Sequence, residues 1–179
     1  HVHIDNVAAA RTATEHLIGL GRKRVAVIGT QDIPSGQSAR LRLQGAMLAL
    51  AEAGLPAHPD LLHPANTYTR EAGYRAMLDV LNTGRPVDAV FCFNDTMAIG
   101  ALRALRERGV RVPEDVAVVG FDDIEEGRFS APPLTTIRPD KDAIARIAVE
   151  RLVARIGGQD GDGHEIEVGY ELVTRESAR

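Results

Sequence analysis

Short apolar runs alternate with longer amphipathic stretches along most of this chain. Arg24-Val-Ala-Val-Ile-Gly29 is rich in β-branched residues and ends on glycine, which predicts a buried strand. From Ser38 to Ala53 the pattern turns helical, with Leu41, Ala46, Leu48 and Leu50 among good helix formers and Gly54-Leu-Pro as the stop. A weaker strand is predicted near Asp60–His63. A helix follows over about Thr69–Leu81, with Tyr74, Met77, Leu78 and Leu81 at helical spacing and Thr83-Gly-Arg-Pro at its end. Asp88-Ala-Val-Phe-Cys-Phe93 predicts a third strand. Asp95 is placed to cap the next helix, whose apolar side is Ala98, Ala101, Leu102 and Leu105 and which Gly109 closes. Val116-Ala-Val-Val-Gly120 is the fourth strand.

Strands alternating with helices of this length imply parallel strands joined by right-handed crossovers, hence an α/β fold with a doubly wound parallel sheet. Both ends depart from the pattern. At the start, Asp5 or Asn6 caps a helix carrying Val7, Ala10, Leu17 and Ile18, and the preceding Val2-His-Ile4 finds no partner strand in the sequence. After the fourth strand come an acidic stretch (Asp122-Asp-Ile-Glu-Glu126), an extended Pro132-Pro-Leu-Thr-Thr-Ile137 and a helix near Lys141–Ile156. Gly157-Gly-Gln-Asp-Gly-Asp-Gly163 reads as a flexible turn, and Glu165–Thr174 alternates like a final strand. The expected division is a strand and helix of a first lobe over 1–21, a complete second lobe over 22–131, a crossover and helix of the first lobe over 132–160, and a return strand to the second lobe over 161–179.

The composition narrows the class. Hydrophobic residues make up 44% of the 179 and charged residues 26%, a globular balance. Lys+Arg 21 against Asp+Glu 25 leaves −4, without the basic surplus of a free-standing nucleic-acid binder. No apolar run approaches the roughly 18 residues of a membrane helix, and the expected setting is cytoplasmic. The lone Cys92 excludes an internal disulfide framework and sits in an apolar strand, where it reads as a core residue.

Ligands of open parallel sheets bind outside the carboxyl ends of the strands, near a switch in strand order. Those ends here are Gly29-Thr30, Asn94-Asp95 and Phe121-Asp122-Asp123. Asn94 offers two donors and an acceptor, and Asp122 accepts on two oxygens. Arg42 adds a planar fork of donors, and Tyr68, in the loop after the second strand, an aromatic face. Together they suit a small polyhydroxylated or heterocyclic ligand. A plainer reading stands beside this one: Asn94 and Asp95 as helix caps, Asp122 as a strand end. Other chemistry lacks its signals. There is no G-x-S-x-G elbow, Walker A loop or complete G-x-G-x-x-G, so neither a catalytic residue nor a cofactor is expected. His1-Val-His3 lacks a third metal ligand, and Asp160 with Asp162 is only a fragment of a calcium loop. The acidic run after Asp122 reads as a solvated loop rather than a chelator.

Several blocks, in order, resemble the effector-binding part of a LacI/GalR-type transcriptional repressor. They are Ile4-Asp5-Asn6 through His16-Leu-Ile-Gly-Leu-Gly-Arg-Lys-Arg-Val-Ala-Val-Ile-Gly29, Ser38-Ala-Arg-Leu-Arg42-Leu-Gln-Gly45 and Asn94-Asp-Thr-Met-Ala-Ile-Gly-Ala101. The most specific is Arg111-Val-Pro-Glu-Asp-Val-Ala-Val-Val-Gly-Phe-Asp-Asp-Ile124 with Pro132-Pro-Leu-Thr-Thr-Ile137. The resemblance implies a periplasmic-binding-protein-like module of two lobes with a small effector, a sugar or nucleoside-like molecule, in the cleft. It places Arg42, Tyr68, Asn94 and Asp122 on effector-contacting positions. It also implies that operator DNA is met only through an amino-terminal helix-turn-helix that has no counterpart here, as most of the first lobe has none. The alternative is a periplasmic sugar-binding protein of a transport system. A homodimer surface is expected on the second lobe. Ile99 lies off the core stripe of its helix, near Arg103 and Arg106, and Tyr74 and Phe129 complete an apolar patch rimmed by arginine.

Overall fold

A computed structural model describes residues 1–31, 36–158 and 164–179. Most of the turn expected over 157–163 lies outside the described residues, as do Asp160 and Asp162. The elements run β1 (Val2–Ile4), α1 (Asn6–Gly19), β2 (Val25–Thr30), α2 (Gln37–Glu52), β3 (Leu62–Pro64), α3 (Arg70–Asn82), β4 (Ala89–Cys92) and α4 (Asp95–Glu107). They continue with β5 (Ala117–Phe121), α5 (Glu125–Arg128), β6 (Thr135–Pro139), α6 (Lys141–Ile156), β7 (Ile166–Val168) and β8 (Tyr170–Val173).

Six strands form the main sheet in the order β3-β2-β4-β5-β6-β8. The first five are mutually parallel, as the alternation of strands and helices requires, and β8 pairs antiparallel to β6 at the edge. The chain leaves β2 toward β3, then returns past β2 to β4. With right-handed crossovers this reversal puts α2 on one face and α3 and α4 on the other. The helices accordingly pack in pairs, α1 with α2 and α3 with α4. Strands covered on both faces are apolar throughout: Val25–Ile28, Ala89–Cys92 and Ala117–Val119 are all buried.

The ends are organised differently from the expected division. Val2–Ile4 does have a partner: it pairs in parallel with Ile166–Val168 in a separate two-stranded sheet, a contact too distant in sequence for any local pattern to announce. α1 packs on α2 and against β5, β6 and β8, so it belongs to the six-stranded lobe rather than apart from it. The extended segment after Pro133 also joins that lobe, with Thr135 opposite Val119 and Ile137 opposite Phe121. The predicted final strand is two short ones split at Gly169, β7 in the small sheet and β8 in the large one. Where the chain passes between the two sheets, the Asp140 N–H donates to Gly169 O at 2.9 Å. α6 packs on β1, and Val149, Leu152, Val153 and Ile156 are exposed along it.

Among the apolar positions expected on α1 to α4, one is turned outward. Leu48, expected among the apolar positions of α2, is 40% exposed, while Ala46 and Leu50 are buried. The α3–α4 contact depends on two glycines. A Cβ on Gly73 would stand 2.1 Å from Met97 O, and one on Gly100 would stand 2.0 Å from Arg70 O. Gly100→Ala must therefore force the helices apart and should lower the free energy of unfolding by about 1–3 kcal/mol in urea titration. Gly19→Ala, where the added carbon meets nothing within 4 Å, should be neutral or slightly stabilising.

Candidate functional site

The rim at the carboxyl ends of β2, β4 and β5 collects the four residues singled out from the sequence. Arg42 projects from the first turns of α2, its guanidinium carbon 3.6 Å from the centroid of the Phe121 ring. Its Nε donates to Asn6 Oδ1 at 2.9 Å, and its Nη1 donates to the carbonyl of Phe93. Burial lowers the guanidinium's pKa, against the pull of the nearby Asp122 charge. Tyr68, on the loop between β3 and α3, is half-buried and donates its hydroxyl to Gly29 O at 3.4 Å. Burial raises its pKa as well. The Asn94 amide nitrogen donates to Tyr68 O at 3.4 Å. The side chains thus bridge three strand ends: Gly29 of β2, Phe93 beyond β4 and Phe121 of β5.

Asp122 follows Phe121 in a backbone conformation that L-residues seldom adopt, with φ at 106°. Its N–H donates to Ile137 O at 2.8 Å, which anchors the strand end to β6. Among the described residues no hydrogen bond reaches its carboxylate. Burial raises the carboxyl pKa, and the charges of Arg42 and Lys141 act against that rise. A half-buried acceptor therefore stands open beside a guanidinium whose Nε and Nη1 are already engaged.

The plainer reading also holds for Asn94. It is Asn94, rather than the expected Asp95, that caps α4, its Oδ1 accepting the Met97 N–H at 2.8 Å. Asp95 is instead fully buried as the first residue of the helix. Two rim residues escaped the sequence. Asn6 looked like one of a pair of caps, but Asp5 performs that task for α1 by accepting the Ala8 N–H at 2.9 Å, which leaves Asn6 for Arg42. Lys141 opens α6 and donates to Asp123 O at 3.1 Å. In the sequence it marked only the start of a helix, so nothing local tied it to the rim.

The acidic stretch is not simply a solvated loop. Asp123 is buried and accepts from Arg138 at 2.6 Å, Arg175 at 2.7 Å and Arg128 at 3.2 Å. Burial favours its neutral form, but these hydrogen bonds outweigh it and hold the carboxyl below its usual range. Glu125–Arg128 forms the short α5. A cavity of about 460 Å³ opens beside this cluster, lined by Asp123, Arg128, Arg138, Lys141 and Tyr170 among others. Asp123 is thus saturated by its arginines, whereas the Asp122 carboxylate has no donor among the described residues. Among the described residues no group of three potential metal ligands converges, and the His1 and His3 rings stack on each other 5.3 Å apart. Cys92 is wholly buried and its thiol pKa is pushed up by that burial.

Polar side chains gathered at the switch point of a parallel sheet stand where open α/β sheets hold their ligands. Residues 14–178 match the family described as periplasmic binding protein-like domain, and the chain belongs to that family. It is 39% identical over 180 residues to the HTH-type transcriptional repressor CytR of Escherichia coli, covering 99% of this chain and 51% of that protein. Among solved structures, a LacI-family protein from Sanguibacter keddieii superposes with a TM-score of 0.93 at 47% identity, over 99% of this chain and 66% of that one. The regulator CelR in complex with cellobiose superposes with a TM-score of 0.91 at 37% identity, over 98% and 53% respectively. The resemblance to LacI-type regulators is upheld by these relatives. The chain spans about half the length of the curated relatives it matches.

The capping role of Asn94 can be tested apart from its amide chemistry. Asn94→Asp keeps the N-cap acceptor but gives up the donor to Tyr68 O, and Asn94→Ala gives up both, so the Ala variant should lose about 1 kcal/mol more than the Asp variant in urea titration. The Asp variant, which keeps the cap, is then the one to compare with wild type for the amide.

Proposed function

We propose that this chain is the effector-sensing and dimerising part of a cytoplasmic LacI-type transcriptional regulator, and that its effector is a small polyhydroxylated molecule, a sugar. The observation that carries this reading is the Asp122 carboxylate, half-buried and without a donor among the described residues, beside the stacked guanidinium of Arg42. Sugar hydroxyls supply the donors that Asp122 lacks, and a pyranose face suits the ring of Tyr68. The cellobiose complex of the similar CelR supports a sugar, and the regulators among the relatives favour this role over a binding protein of a transport system. Effector would favour one arrangement of the two lobes, and that bias would reach a DNA-binding head outside this chain. No catalytic step is required of any residue.

Titration calorimetry on the full-length protein with cellobiose and a panel of sugars tests the site. Arg42→Ala or Asp122→Asn should weaken binding by about 2–5 kcal/mol, because each leaves a desolvated partner unpaired. Unchanged affinity in both variants rejects the site. Heat with nucleosides and none with sugars moves the reading to a nucleoside-like effector.

The homodimer part rests on a second surface. Tyr74, Ile99, Arg103 and Phe129 line one groove of about 390 Å³, together with Arg70 and Arg106. Phe129 is 80% exposed, a large apolar side chain with no cover in the monomer. Tyr74 and Arg103 are held in place by Glu107, which accepts from them at 2.7 and 2.8 Å. A two-fold axis would set each patch on its own copy. Light scattering across a concentration series should show a dimer that Ile99→Asp converts to monomer. A wild-type protein that is monomeric at high concentration refutes this interface.

A further inference from the structure

Asp95 carries a carboxylate that the proposed site does not use. The residue is 0% exposed, and its two oxygens are divided between two separate elements. Oδ2 accepts the Ile124 N–H at 2.9 Å, two residues beyond Asp122. Oδ1 accepts the Thr136 hydroxyl at 2.5 Å, on the β6 strand that leads out toward α6. The space was cleared for it: a Cβ on Gly120 would lie 2.2 Å from Asp95 Oδ1. Asp122 and Asp123 immediately precede the Ile124 anchor, at φ values of 106° and 48°. Such a backbone persists only where its surroundings over-determine it. Apolar side chains would pack α4 equally well, so a buried ion here needs another reason than packing.

We infer that Asp95 is a positioning residue for effector recognition, its carboxylate clamping the Asp122–Asp123 turn to β6 so that the Asp122 side chain stands on the rim. The effector part of this inference rests on the reading of the rim given above; the clamp itself does not.

The charges that act on Asp95 are those of Asp122 and Asp123 on the turn, both negative, and the titratable group facing it from β4 is Cys92. Thr136 faces it from β6 and Gly120 from β5, neither charged. Burial is the main influence and lifts its pKa to about 7, with the hydrogen bonds from Thr136 and Ile124 acting against the rise. A carboxyl raised in the folded state stabilises the fold most at low pH, and that contribution is lost as pH rises from the ordinary carboxylate range through about 7. On protonation the Asp95 carboxyl would donate to Thr136, whose hydroxyl has Ile137 O as its other acceptor at 3.3 Å. The clamp thus changes its donor pattern without losing the Ile124 contact.

Hydrogen–deuterium exchange on the full-length protein tests the inference at pH 6, 7 and 8, corrected for intrinsic exchange. Asp95→Asn offers one acceptor oxygen to two donors, so exchange across 121–128 should rise roughly tenfold or more, with β2 and β4 unchanged. The pH dependence of that segment seen in the wild type should be lost in the variant. Thr136→Val removes one donor and keeps the Ile124 bond, so it should preserve protection and move the wild-type midpoint to higher pH. Unaltered exchange over 121–128 in Asp95→Asn overturns the clamp. An equal rise throughout the sheet, or the same pH profile in wild type and variant, overturns it too. A cellobiose titration run in parallel separates the two readings. Wild-type binding weakened at least tenfold by Asp95→Asn supports the positioning role. A wild type that ignores every sugar, with the exchange pattern as expected, supports the clamp and counts only against the sugar.

Discussion

Parallel strands cannot be joined by hairpins, so each strand of this sheet is followed by a crossover that carries the chain back along a face. All turns leaving the parallel strands then fall on one rim. Because the chain runs from β2 outward to β3 and then back past it to β4, the helices after those strands lie on opposite faces and the rim opens between them. Gly29, Phe93, Asn94, Phe121 and Asp122 meet there because topology gives them no other place. Arg42 reaches the same point because α2 starts at the rim that β2 has just left.

Electrostatics then decides how those residues are used. A guanidinium taken out of water needs compensation, and Arg42 finds it in the Phe121 face, a backbone carbonyl and the Asn6 amide. Among the described residues the Asp122 carboxylate receives only the charges of Arg42 and Lys141 and no hydrogen bond. Asp123, one residue on, is saturated by three arginines. Adjacent carboxylates of identical chemistry are thereby divided, one closed into the structure and one left open at the rim. The numerous exposed i,i+4 pairs, such as Arg75–Glu71 and Arg103–Glu107, contribute little by comparison.

The rim is also tied to the places where the chain leaves the six-stranded lobe. Asn6, which holds Arg42, stands two residues after β1, and its amide nitrogen donates to Ile4 O at 3.3 Å. Asp122 is bonded through its N–H to Ile137, two residues before Pro139, where β6 ends. Lys141 lies just past that point. On the proposed reading, a molecule bound at the rim would bear on two of the chain crossings between the sheets, which is where a change in lobe arrangement has to act.

Local pattern was enough for the strand–helix series, since apolar runs of β-branched residues and helical stripes report their own environment. It was enough, too, to bring Arg42, Tyr68, Asn94 and Asp122 to one rim, because positions after parallel strands share that edge whatever the details. Long-range pairing was not readable. The union of Val2–Ile4 with Ile166–Val168, the docking of α1 on α2, and the entry of Thr135–Pro139 into the main sheet each join segments that carry no mark of one another. The same limit applied to roles. Asp95 and Asn94 are neighbours with equal capping chemistry, and Asp5 and Asn6 likewise. Which of each pair caps a helix and which is sent to Thr136 or Arg42 depends on what the finished fold brings within hydrogen-bonding reach, and only tertiary structure decides that.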